Sequence, residues 1–88
     1  MKVEWDAAKA ESNRRKHGVE FEEAVSCLFD PRAITMEDES AEFESRWVLM
    51  GLSFRVRLLT VVYTVRAEDK LRLISARKAT RREAESYA

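Results

Sequence analysis

Seven side chains in this 88-residue sequence are of the types that handle a phosphodiester: Lys16 and His17, Glu44, Arg46, Tyr63, and the adjacent Arg77 and Lys78. His17 is the sequence's single histidine and so its one side chain with an ordinary pKa near neutrality. It is therefore the candidate to take a proton from a 2′-hydroxyl or to return one to a leaving oxygen. The cations can stabilise a phosphorane, and an acid such as Glu44 can serve a leaving group. The set suits metal-free phosphodiester chemistry. A plainer reading of His17 stands beside this one: His17-Gly18 has the composition of a helix stop, a cation-capable residue followed by glycine. Other chemistries lack their residues. With one His and one Cys, Cys27, neither a protein zinc site nor a disulfide framework is expected. Gly18 and Gly51 are the only glycines and make no phosphate loop, and no nucleophile elbow is present. No metal and no cofactor is expected.

The segment that must position this chemistry is Leu71–Tyr87, LRLISARKATRREAESY. It starts as an alternating strand, with Leu71, Leu73 and Ser75 on one side and Arg72, Ile74 and Ala76 on the other. It then enters a helix, with Thr80 as N-cap and Glu83 three residues on, a capping-box spacing. Arg77 and Lys78 are thereby delivered to the corner between strand and helix, where they can meet an anion.

The preceding elements supply the frame. Lys2–Trp5 reads as a short strand, and Asp6 caps a mostly surface helix over Ala7–Lys16, with Trp5, Ala8 and Ser12 turned inward. A second helix over Phe21–Phe29 sets Phe21, Ala24, Val25 and Leu28 on one apolar face, Glu22 and Glu23 in water, and Cys27 as a small core residue. Asp30-Pro31 ends it. Ala33–Glu37 can form a strand, and the acidic run that follows reads as a solvated connection. Ser45–Leu52 and Phe54–Ala67 are long strands joined at Gly51-Leu52-Ser53. The order β-α-α-β-β-β-β-α predicts one α+β domain over residues 1–88, an antiparallel sheet packed by helices. The final strand should pair with the strand centred on Val61.

Net charge is zero, yet residues 1–45 carry six Lys/Arg against twelve Asp/Glu, and residues 46–88 ten against four. An acidic and a basic surface follow, and the basic one could meet a polyanion or simply solvate a sheet. No apolar run approaches the ~20 residues of a membrane span, and the charged start is unlike a signal peptide, so a cytoplasmic protein is expected.

Several blocks together resemble the BrnT family of ribonuclease toxins. They are WDAAKAESNRRKHGVEFEEA (Trp5–Ala24), FDP (Phe29–Pro31), ESRWVLMG (Glu44–Gly51), LLTVVYT (Leu58–Thr64) and RLISARKATRREAESY (Arg72–Tyr87). They span nearly the whole chain in order, and KHG-x-x-F and ISARKA are the most specific. The chain departs from the family pattern at Val56-Arg57, where a Gly-containing or shorter polar stretch is expected.

The resemblance implies a RelE-like α+β fold and metal-independent RNA cleavage. It implies a BrnA antitoxin with a ribbon-helix-helix DNA-binding domain, and repression of the shared operon through operator DNA. The family's blocks map onto Lys16-His17, Glu44/Arg46 and Arg77-Lys78 without assigning a step to each. On this basis the chain is expected to be a translation-inhibiting endoribonuclease acting by 2′-oxygen attack. His17, Arg46 and Arg77 are its candidate catalytic residues; Lys16, Lys78, Tyr63 and Glu44 are its candidate RNA contacts. Arg77 is the first choice for phosphate, because its planar fork matches phosphate oxygens, with Arg46 on an adjacent strand as a second clamp. The alternative is a non-catalytic partner that binds the antitoxin and tunes operon repression.

Overall fold

Five strands form one sheet in the order β1-β5-β4-β3-β2, in a computed structural model that describes residues 1–39 and 45–87. The elements are β1 (Lys2–Glu4), α1 (Ala7–His17), α2 (Phe21–Cys27), β2 (Ile34–Asp38), β3 (Arg46–Leu52), β4 (Leu58–Ala67), β5 (Lys70–Lys78) and α3 (Arg81–Ala84). This is the expected α+β order. The sheet is mixed rather than wholly antiparallel, because β1 runs parallel to β5 through Lys2↔Lys70, Val3↔Leu71 and Glu4↔Arg72. The remaining pairings are antiparallel, and Val61 lies opposite Ala76 as the final strand's expected partner.

One face of the sheet carries the core. Phe21, Ala24 and Cys27 of α2 and the preceding Val19 meet Leu49, Leu59, Val61, Leu71, Leu73 and Ala76. Trp5 closes the margin edge-on against Phe21, with ring centroids 5.8 Å apart. Gly51 lies inside β3 under α2, and a Cβ there would come within 2.8 Å of the Cys27 carbonyl oxygen. Its role is close approach of helix and strand, not the turn expected at Gly51–Ser53. That turn falls later, where Ser53 N–H donates to Arg57 O and Val56 N–H to Ser53 O, both at 2.9 Å. Val56 takes φ 60°, a left-handed conformation unfavourable to a β-branched residue. The departure from the family pattern thus falls where the backbone calls for glycine.

Glu23 does not face water. It is 2% exposed, accepting from Ser53 Oγ at 2.7 Å and from Arg57 Nε at 2.9 Å, with Arg57 Nη2 on its other oxygen. The expected helix face was counted from apolar residues alone, and the hairpin brings its own cation to the carboxylate. Similarly, α1 turns Ala10 and Asn13 inward, while Ala8 and Ser12 are exposed.

Asn13 completes an unfinished edge. β1 covers β5 only as far as Arg72. Beyond it, Asn13 Nδ2 donates to Ala76 O at 2.8 Å and Asn13 Oδ1 accepts from Ala76 N–H at 3.0 Å. One side-chain amide makes the two bonds a neighbouring strand would have made.

Candidate active site

Arg77 reaches the sheet face opposite the core because of a bulge. Val62 pairs with Ser75 and Tyr63 with Leu73, so Ile74 is left between them. An uninterrupted strand would put Leu71, Leu73, Ser75 and Arg77 on one side. The extra residue reverses the phase: Ala76 joins Leu71 and Leu73 in the core, and Ser75 and Arg77 turn to the second face. The expected grouping of Ser75 with the leucines therefore fails at Ile74.

On that second face the register sets Arg77 in line with Thr60, Met50 and Ile34, and Ser75 in line with Val62, Val48 and Met36. Arg72, Thr64, Arg46 and Asp38 form a further row. The face is polar along β5 and, beyond the Arg46–Asp38 row, apolar over β2 and β3, where Ile34, Met36, Val48 and Met50 lie.

The anion that Arg77 meets is internal. Nη1 and Nη2 donate to the two Glu83 oxygens, each at 2.8 Å, a fork-to-fork pair. Glu83 Oε1 also accepts from Thr80 N–H at 2.8 Å and Thr60 Oγ1 at 3.1 Å, while Glu83 N–H donates to Thr80 Oγ1 at 3.1 Å. The capping box is formed as expected, and its carboxylate does a second job. Chiefly through the Arg77 hydrogen bonds, and against partial desolvation, the Glu83 carboxyl is lowered from 4.5 to about 2. The pair is ionised at any physiological pH.

Lys16 and His17 border a depression with Lys9, Ser12, Asn13, Ile74 and Ser75. The end of α1 is thus brought to the edge of β5 beside Ser75, which shares its face with Arg77. His17 also ends α1, followed by Gly18 at φ 69°. Its two readings are compatible in space. Lys78 is exposed at the end of β5.

Two candidates are not brought to Arg77. Arg46 lies on β3, separated from β5 by β4 rather than adjacent to it. Its partner on β4 is Thr64, four residues from Thr60, or about 13 Å along the strand. Tyr63 pairs with Leu73 and packs against the core, on the helix-covered face, where burial raises its pKa. The aromatic strand pattern showed that Tyr63 was in β4 but left its face open. Glu44 lies outside the described residues.

Glu83 and Thr60 are the residues that sequence reasoning did not place at the site. The strand-to-helix corner that separates Arg77 from Glu83 by six residues was the available signal. Cys27 is no nucleophile, since burial pushes its thiol up to about 12. Among the described residues, no three His, Cys, Asp or Glu side chains gather as a metal-binding group, and no helix is long and apolar enough to cross a membrane.

Comparison with known proteins adds an independent line. The family model described as the ribonuclease toxin BrnT of type II toxin–antitoxin systems matches residues 5–83. A 1.1 Å crystal structure of the Brucella abortus ribonuclease toxin BrnT superposes with a TM-score of 0.71 at 24% identity. The match covers 92% of this chain and 99% of that one, and it shows a shared fold. No curated protein matches the sequence. With the family model spanning both the α1 end and the Arg77–Glu83 corner, the chain belongs to the BrnT family of ribonuclease toxins of type II toxin–antitoxin systems.

Proposed function

We propose that this chain is a metal-independent endoribonuclease that inhibits translation by cutting RNA. Family membership over residues 5–83 is the observation that carries the reading. The 2′-oxygen attacks the neighbouring phosphorus, the P–O5′ bond breaks, and the products carry a 2′,3′-cyclic phosphate and a 5′-hydroxyl. His17 takes the proton of the attacking hydroxyl and returns it to the departing O5′, and Arg77 stabilises the charge that builds on the phosphorane. Its guanidinium is supported from one edge by Glu83, so phosphate approaches along the Nε side of the same plane. Lys16 and Lys78 hold the strand on either side, and Arg46 meets a more distant phosphate. Tyr63 contributes through packing behind β4, and Glu44 is a further RNA contact.

The partner we propose is a BrnA-like antitoxin with a ribbon-helix-helix domain, the complex binding its own operator DNA. The close pairing of Arg77 with Glu83 favours a second reading, a non-catalytic chain that binds the antitoxin and tunes repression.

Incubating purified protein with RNA in excess EDTA separates the two. We expect cleavage with 5′-hydroxyl ends, undiminished by the chelator. Arg77→Ala should lower turnover by roughly 10²–10³, as loss of one preorganised donor does elsewhere. An inert wild type would leave the non-catalytic reading standing. Activity abolished by EDTA and restored by one divalent ion would overturn the metal-independent mechanism alone.

A further inference from the structure

Two phenylalanines stand in water at the end of the sheet where Arg77 and α3 lie. Phe29, just after α2, is 71% exposed and Phe54, in the β3–β4 turn, is 64% exposed. Hydrogen bonds hold their backbones together: Phe54 N–H donates to Ser26 Oγ at 3.0 Å, and Phe29 N–H to Ser26 O at 3.2 Å. A second tie runs from Leu52 N–H to Asp30 at 2.7 Å. The rings are therefore displayed from anchored backbone. The Arg55 guanidinium sits over the Phe54 ring, 5.6 Å from its centroid.

The same end carries the end of β5. Lys78 lies opposite Leu59, and Ala79 N–H donates to Leu58 O at 3.0 Å. The turn holding Phe54 is thus continuous with the strand end that bears Arg77 and Lys78.

We propose that Phe29, Phe54 and Arg55 form a stacking platform for unpaired bases of single-stranded RNA, flanking the phosphate held at Arg77. The substrate class rests on the ribonuclease reading above. Exposed aromatic rings interleaved with arginine are how proteins hold single strands without reading them: each base offers a π-face, and cations track the backbone. Exposed apolar surface of this kind also suits a protein partner. RNA is favoured here because Arg55, 4.0 Å from Glu23 yet still largely exposed, sits over the Phe54 ring. The same turn leads into the strand paired with the Arg77-Lys78 end, so stacking and charge lie at one end of the sheet.

The test uses the full chain and a fluorescent single-stranded oligoribonucleotide with every 2′-hydroxyl methylated, so that it binds but cannot be cut. Phe29→Leu and Phe54→Leu keep apolar bulk and remove the rings. Each should weaken binding by about fivefold or more, the usual range for one lost stacking partner. The salt dependence should stay as in wild type, since no phosphate contact is lost. Phe54→Trp should bind at least as tightly, and its fluorescence should be quenched by the oligonucleotide. Val65→Ala, an exposed apolar residue elsewhere on β4, should bind as wild type. Leucine variants that bind as wild type sink the platform; if they also lose the antitoxin, the patch is a protein interface instead. A wild type without measurable binding sinks it as well. Cleavage by the wild type with ring-independent binding removes the platform alone. Ring-dependent binding without cleavage removes the ribonuclease mechanism and leaves the platform in place.

Discussion

Glu83 serves three donors at once, the backbone N–H of Thr80, the Thr60 hydroxyl and the guanidinium of Arg77. Its truncation should loosen both the α3 start and the Arg77 guanidinium that we propose acts on phosphate. Glu83→Gln keeps a cap acceptor while removing the charge, so turnover should change more than stability, which denaturant unfolding beside single-turnover cleavage would reveal. Equal losses in both would make Glu83 a structural residue only. His17 calls for the same separation. As a helix-end cation alone, its replacement by alanine costs up to ~1 kcal/mol and leaves cleavage almost intact. As an acid/base it costs roughly 10²–10⁴ in rate while the fold survives. We expect the second outcome, because His17 opens into the depression shared with Ser75 at the margin of the Arg77 face. The sequence offered Lys16, His17, Arg77 and Lys78 as residue types capable of this chemistry. Their arrangement was not legible there, since it depends on a bulge and on a carboxylate six residues away.

At the scale of elements, alternation and capping read correctly wherever local rules acted alone. Thr80 and Glu83 cap α3, and Phe21, Ala24 and Cys27 face the sheet. Phe21→Ala should then cost roughly 3–5 kcal/mol in denaturant unfolding, and a loss below ~1 kcal/mol would contradict its place in the core. The misses share a physical cause: a long-range partner overrode a local pattern. Glu23 is buried because Arg57 arrives from the hairpin, and Asn13 because β5 has a bare edge. Asn13→Ala strands the N–H and C=O of Ala76 and should cost about 2–4 kcal/mol, the scale for buried backbone groups left unpaired. Val56 offers the opposite sign. Relief of left-handed strain, about 1–2 kcal/mol, outweighs the ~0.5–1 kcal/mol entropic cost of glycine, so Val56→Gly should raise the melting temperature. An unchanged or lower value would mean that the turn is not strained at that residue.

Across the whole molecule, the parts outside the core layers are tied down by carboxylates. Glu23 pairs with Arg57 to hold the hairpin on α2, and Glu83 pairs with Arg77 to hold α3 on β5. Asp30 accepts from Leu52 N–H, Arg32 N–H and the Tyr87 hydroxyl, linking the end of α2 to β3 and to the C-terminal residues. Each carboxyl is lowered mainly by its partner's hydrogen bond: Arg57 for Glu23, Arg77 for Glu83 and Tyr87 for Asp30. A depressed carboxyl pKa means that the unfolded chain binds more protons than the folded one. The stability these groups contribute is therefore fully present above the ordinary carboxylate range and is lost as acid titrates the folded state. For Glu83 that window runs from 4.5 down to about 2. The melting temperature should hold steady from pH 7 to about 5 and then fall steadily toward pH 2, with α3 and the C-terminal residues losing amide protection first. Glu83→Gln should flatten the acid limb, because one of the titrating groups is gone. A wild-type melting temperature that is level between pH 5 and pH 3 would mean that these ion pairs bind their segments no more tightly in the folded state than water does in the unfolded one.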